Sequence, residues 1–112
     1  MDPIQDSTIR YVWASFDNAG NITGSKDIAS VTKNGTGDFT ITYTGVMQTD
    51  EYAVSITPID TSTSPITVKN LAQDEVSCRF ICRGGGVQVL GINLTSSAPI
   101  DPSGGINFFA CN

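Results

Sequence analysis

The chain has 112 residues, 39% of them apolar and only 15% charged, with a net charge of −5 and no histidine. That length fits one domain, and its hydropathy is near zero, which excludes a disordered tail; no apolar run approaches the ~18 residues of a membrane-spanning helix. The acidic balance argues against nucleic acid and anionic lipid surfaces as partners, and the missing histidine removes the usual general base and the commonest metal ligand.

Residues 1–8 read as a linker-like start, and Met1-Asp2-Pro3-Ile4-Gln5 has neither the basic region nor the apolar core of a signal peptide. Ile9 to Phe16 reads as a strand with two apolar faces, Tyr11 and Trp13 on one, Val12, Ala14 and Phe16 on the other. Asp17 to Asn21 is a turn. Ile28 to Lys33 is a strand anchored by Ile28 and Val31. Asn34-Gly35-Thr36-Gly37 follows, a turn in which both glycines are expected to be required by backbone geometry. Phe39, Ile41 and Tyr43 then alternate with Asp38, Thr40 and Thr42, and Tyr52, Val54 and Ile56 alternate with Ala53, Ser55 and Thr57. This period of two marks strands with one buried and one wet face.

Asp60 to Pro65 is a polar loop, and Ile66 to Lys69 reads as a short edge strand. Val76, Cys78, Phe80 and Cys82 share one face of the next strand, which Gly84-Gly85-Gly86 breaks. Val87 to Leu94 reads as one more strand, Thr95 to Gly105 as a long turn-like stretch, and Ile106 to Cys111 as the last strand, with Phe108 and Phe109 pointing opposite ways. About eight short strands with turn signals every ~8–12 residues imply an all-β chain, an antiparallel β-sandwich of jelly-roll-like type spanning 1–112 as a single domain.

Catalytic chemistry is not expected. No serine sits in a G-x-S-x-G elbow, and the glycine triplet lacks the Gly-Lys-Ser/Thr ending of a phosphate loop. The carboxylates Asp17, Asp27, Asp38, Asp50, Glu51, Asp60, Asp74, Glu75 and Asp101 fall on turns. Turn capping explains them better than a glycosidase pair does. Cys78, Cys82 and Cys111 are expected as free thiols of a protein made in a reducing cytoplasm. A pairing of Cys111 with one of the others stays open; Cys78 and Cys82 lie ~13 Å apart on one strand. Turn oxygens at Asp17-x-x-x-Asn21 and at Asp60 suit calcium, but no full loop motif is present, so no metal or cofactor is expected. Asn21, Asn34 and Asn93 head glycosylation-type triplets, read as unmodified.

Two places could take a ligand. Tyr11, Trp13, Tyr43, Tyr52, Phe108 and Phe109 are aromatic candidates for stacking on sugars, weighed against core or subunit-contact roles. The loops Asp60–Pro65 and Thr95–Gly105 are crowded with hydroxyls, and Asp60, Thr61, Ser62, Thr63, Ser97, Asp101 and Ser103 are the expected ligand-binding residues. Replacing Asp101, Ser103 or Thr63 is expected to weaken binding without lowering the melting temperature much.

Asn34-Gly35-Thr36-Gly37-Asp38-Phe39 resembles the NGTGDYT signature of a recurrent domain at the C-terminal ends of bacteriophage tail fibres and related virion fibre proteins. Trp13-Ala14-Ser15-Phe16-Asp17 is similar to that family's Trp-x-x-Phe-(Asp/Asn) strand, Asp27-Ile28-Ala29-Ser30-Val31-Thr32 to its Asn-(Val/Ile)-x-Ser-(Ile/Val)-Thr segment. Met47 and Asp50-Glu51-Tyr52-Ala53-Val54 are similar to its Met…Tyr-Ala-Val segment. The motifs run in the family's order over residues 11–57; the second half matches only through Pro99-Ile100-Asp101 and a final apolar strand. The resemblance implies a β-sandwich fibre tip, commonly trimeric, without catalytic residues. The expected function is attachment of a virion to a bacterial surface receptor, glycan or protein, by a homotrimer. A structural knob or capsid-decorating protein without ligand is the alternative. Either places the protein in the virion.

Overall fold

A computed structural model of the chain describes residues 8–59, 66–84, 87–89, 92–95 and 98–112. In chain order its strands are β1 (Thr8–Ile9), β2 (Tyr11–Phe16), β3 (Ile22–Lys26), β4 (Ile28–Gly35), β5 (Asp38–Tyr43), β6 (Val46–Met47) and β7 (Ala53–Ile59). They continue with β8 (Ile66–Gln73), β9 (Ser77–Gly84), β10 (Val87–Val89), β11 (Ile92–Thr95), β12 (Ala98–Pro99) and β13 (Gly105–Cys111). The described residues contain no helix. A four-stranded sheet has the order β3-β2-β13-β7, and in a five-stranded sheet β9 joins β8 on one side to β5, β4 and the short β12 on the other. All pairings within these two sheets are antiparallel. The expected β-sandwich therefore forms, with the last strand inserted between the first long strand and the middle one.

Period-two patterning builds the core. Val12, Ala14 and Phe16 of β2 and Ile106, Phe108 and Ala110 of β13 point inward from one sheet. Phe39, Ile41 and Tyr43 of β5 and Cys78, Phe80 and Cys82 of β9 meet them from the other. Phe16 lies 5.3 Å from Phe39 and Phe80 6.3 Å from Phe108, ring centre to ring centre, so aromatic pairs join the two layers. Tyr43 and Tyr52 share a buried hydroxyl–hydroxyl bond of 2.8 Å, and Tyr52 donates onward to the backbone oxygens of Asp74 and Ser77. Burial pushes the Tyr52 hydroxyl up to about 12 and that of Tyr43 further.

Several expectations need correction. Ile22–Lys26 is a strand that periodicity did not reveal: it contributes no buried side chain and is held by its pairing with β2. It reaches β4 through Asp27 alone, whose φ of 59° lies in the left-handed region that aspartate tolerates. The span Val87 to Leu94 is not one strand but a hairpin, β10 against β11. The edge strand at Ile66 runs on to Gln73. Val76 is 45% exposed and precedes β9, because the Asp74 carboxylate accepts the Val76 and Ser77 amides and bends the chain there. The two main sheets hold nine strands, four in one and five in the other.

Candidate functional site

Register fixes what each outer face carries. On the five-stranded sheet, Thr32 opposes Thr40 and Thr40 opposes Arg79. Arg79 donates to both oxygens of Asp38 at 3.0 and 2.7 Å, and Asn34 donates to Asp38 and Thr40. Hydroxyls and a bidentate ion pair make this a surface at home in water.

The four-stranded sheet differs. Its outward residues form rows across the strands: Tyr11, Cys111 and Ala53; then Lys26, Trp13, Phe109 and Ser55; then Gly24, Ser15, Asn107 and Thr57. Tyr11, Trp13 and Phe109 are 43%, 38% and 43% exposed. The Tyr11 and Phe109 rings lie 6.1 Å apart with planes 29° apart. Trp13 lies across β3, since a Cβ on Gly24 would meet two of its ring carbons at 3.2 Å. The Lys26 ammonium sits 4.2 Å from the Tyr11 ring centre and 2.7 Å from Asp27, whose hydrogen bond raises its pKa.

Next to the aromatic row, Ser15 donates to the Asn107 carbonyl oxygen at 2.7 Å. Asn107 is exposed, and its amide hydrogens have no partner among the described residues. Thr23 donates to the Ser15 backbone oxygen. Beyond this row lies a cleft of about 190 Å³ lined by Ser15, Phe16, Asp17, Thr23, Ile59, Gly104, Ile106 and Asn107. The Asp17 carboxylate at its end is saturated by the amides of Ala19 and Asn21 and by the Asn21 side chain. Those bonds, the Asn21 backbone amide foremost, hold it below its ordinary range.

Of the six aromatic candidates, Tyr43, Tyr52 and Phe108 are buried in the core, whereas Tyr11, Trp13 and Phe109 share one exposed face. Of the loop candidates, Asp60, Thr61, Ser62, Thr63 and Ser97 lie outside the described residues. Ser103 is exposed in the turn before Gly105. Asp101 has a structural duty: it accepts the Gly37 amide at 2.7 Å and Lys33 at 2.8 Å. Burial opposes its ionisation, but these two bonds win and its pKa is lowered. Replacing it is therefore expected to cost stability, contrary to the sequence-based expectation. Gly37, with φ of 69°, is required as expected, but a Cβ at Gly35 meets nothing within 4 Å, so that glycine is not.

Asp38 and Asp74 also titrate below their ordinary range, Asp38 chiefly through Arg79 and Asp74 through the Val76 amide. A glycosidase acid needs the opposite shift. Cys78 and Cys82 are buried thiols pushed up to about 12 and about 11 by burial, while Cys111 lies on the opposite sheet, facing outward, which rules out pairing it with either. The residues that sequence reading missed, Ser15, Gly24, Lys26 and Asn107, become visible only through the pairing of β2 with β3 and β13. Comparison with known proteins found no family model, no curated protein and no solved structure that matches this chain.

Proposed function

We propose that the chain is a non-catalytic attachment module, the tip of a virion fibre that binds a receptor on a bacterial surface and works as a homotrimer. One observation carries the reading: one outer face of the sandwich carries hydroxyls and an ion pair along β4, β5 and β9, and the other gathers three adjacent aromatic residues, each about 40% exposed. Exposed aromatic clusters on otherwise polar surfaces mark binding sites. The ordered motifs of residues 11–57 supply the fibre context and the number three.

Association between copies is placed at the lateral edge. Strands β7 and β8 each pair on one side only among the described residues. Between them a crevice of about 200 Å³ is lined by Val54, Ile56, Val68 and Asn70. Unpaired edges beside apolar side chains are surfaces that folded proteins cover. This crevice is also what favours the second reading, a structural knob or decorating protein with no ligand.

The purified domain, incubated with a panel of Gram-negative and Gram-positive cells, is expected to sediment with at least one of them and to leave envelope polysaccharides undegraded. A trimer that adsorbs to no cell type supports the knob reading instead. Release of reducing sugar would make the domain an enzyme.

A further inference from the structure

We propose that the outer face of the four-stranded sheet is a binding site for an uncharged saccharide, stacked on Trp13 and hydrogen-bonded by Asn107. The inference rests on the attachment reading and names its ligand class. Three features of the face carry it.

The first is the attitude of the indole. Trp13 lies over Gly24 closely enough that even a methyl group there would meet its ring at 3.2 Å. Its benzo carbons therefore pack against the Gly24 backbone, and 38% of the residue remains exposed. Phe109 stands opposite Trp13 on the next strand, and Tyr11 is near-parallel to Phe109. The C–H groups on one side of a pyranose ring pack on such a ledge as apolar surface does, while its hydroxyls stay at the rim.

The second is the polar row one step along the strands, about 6–7 Å from the aromatic row. There Ser15 holds the exposed Asn107 side chain by its oxygen, and its two N–H donors have no partner among the described residues. Fixing it beforehand lowers the entropy cost of binding. The adjoining cleft of about 190 Å³ is smaller than the ~300–1,000 Å³ of drug-sized sites. It fits one further ring of a chain that runs along the face.

The third is charge and area, which select the occupant. Among the described residues of the face the cation is Lys26, which is paired with Asp27 at 2.7 Å, and the chain carries −5 overall. An anionic polymer finds repulsion there. Three rings about 40% exposed offer about 250 Å² if each presents ~150–250 Å² when free. A stable subunit contact takes ~800 Å² per partner. The apolar part of the patch is of the size of a sugar ring or two, and a second copy on it is an outcome that the concentration dependence of the emission reads.

Trp13 is the only tryptophan of the chain, so all tryptophan emission reports on this site. Titration with dextran, maltoheptaose, galactomannan and yeast mannan, with heparin as the anionic control, is expected to change that emission for at least one neutral glycan and not for heparin. By calorimetry, Trp13→Ala and Asn107→Asp are each expected to weaken binding at least tenfold, Asn107→Asp while keeping the wild-type urea midpoint and Trp13→Ala with a lowered midpoint but a folded chain at zero urea. The inference is overturned if none of the four neutral glycans binds, if heparin binds better, or if the variants bind like the wild type. It also falls if the emission depends on protein concentration, because a second copy then covers the ring. Cell adsorption measured alongside separates the two readings. Adsorption without saccharide binding removes this site and keeps the attachment function; saccharide binding without adsorption does the reverse.

Discussion

Gly37→Ala is the sharpest test of how the fold is held. Gly37 has φ of 69°, and a Cβ there would stand 2.5 Å from the Ile100 carbonyl oxygen and 2.6 Å from that of Cys82, both backbone atoms that cannot swing aside. The left-handed conformation alone costs an alanine about 1–2 kcal/mol. Relieving the clash means moving the turn off β9 and the Ile100 segment. That sacrifices the Gly37 amide bond to Asp101 at 2.7 Å and the Cys82 amide bond to Gly37 at 2.8 Å. Two such bonds, one to a carboxylate, contribute about 2–4 kcal/mol together. A loss of about 4 kcal/mol follows, a large share of the ~5–15 kcal/mol that holds a domain. Gly35→Ala, with nothing within 4 Å, is the internal control and is expected to stay within about 0.5 kcal/mol. In urea, with an m-value near 2 kcal/mol/M, the Gly37 variant's midpoint drops by about 2 M while the Gly35 variant's stays put. Equal midpoints for the two variants would refute the reasoning.

Other consequences are checked on the same footing. Phe80→Ala removes a fully buried ring that faces Phe16, Phe39 and Phe108 and is expected to cost about 3–5 kcal/mol in urea unfolding, whereas exposed Phe109→Ala costs under about 1 kcal/mol. Asp38, Asp74 and Asp101 have folded pKa values below the unfolded ~3.9, so their contribution is complete above that value and is lost as pH falls through the folded values. Chemical denaturation is therefore expected to give flat stability from about pH 5 to 7 and a decline below about pH 4, shallower in Asp101→Asn. With a disulfide reagent at pH 8, Cys111 is expected to react fast and Cys78 and Cys82 only on unfolding, since burial keeps those two protonated; three fast thiols would contradict the core. Light scattering is expected to give the mass of three 11.8-kDa chains, and a charged residue at Val68 to reduce it to one; a monomeric wild type ends the trimer proposal.

How far the sequence could be read depended on what each residue contributes. Strands that bury one face announce themselves, so β2, β5 and β13 were legible from alternation alone, down to the opposite orientation of Phe108 and Phe109. Strand β3 was silent because Ile-Thr-Gly-Ser-Lys buries nothing fully; it exists through backbone bonds to β2, and backbone bonds leave no hydrophobic trace. Asp101 was read as a surface loop carboxylate because its partner, the Gly37 amide, lies 64 residues away. Gly35 and Gly37 look alike in sequence, yet only Gly37 is pinned between two carbonyls. The polar half of the candidate site was hidden for a related reason: Ser15 and Asn107 are 92 residues apart and meet only because β13 returns to pair with β2.

That return also explains why the aromatic ledge stands where it does. Strands β2 and β13 are the two central strands of their sheet, so each places one set of side chains in the core and the other at the middle of the outer face. Aromatic residues at such central positions are shielded from the sheet's edges, where unwanted strand pairing begins. The face can therefore stay apolar without inviting edge-to-edge aggregation. The missing Cβ of Gly24 lets the indole pack against β3. Gly24→Val is expected to shift the ring and weaken saccharide binding though valine touches no sugar, with a stability loss of no more than about 1–2 kcal/mol because β3 buries no side chain fully. If Gly24→Val binds like the wild type, the contact of Trp13 with Gly24 is incidental to recognition, and the hydrogen-bonding row must supply the selectivity alone.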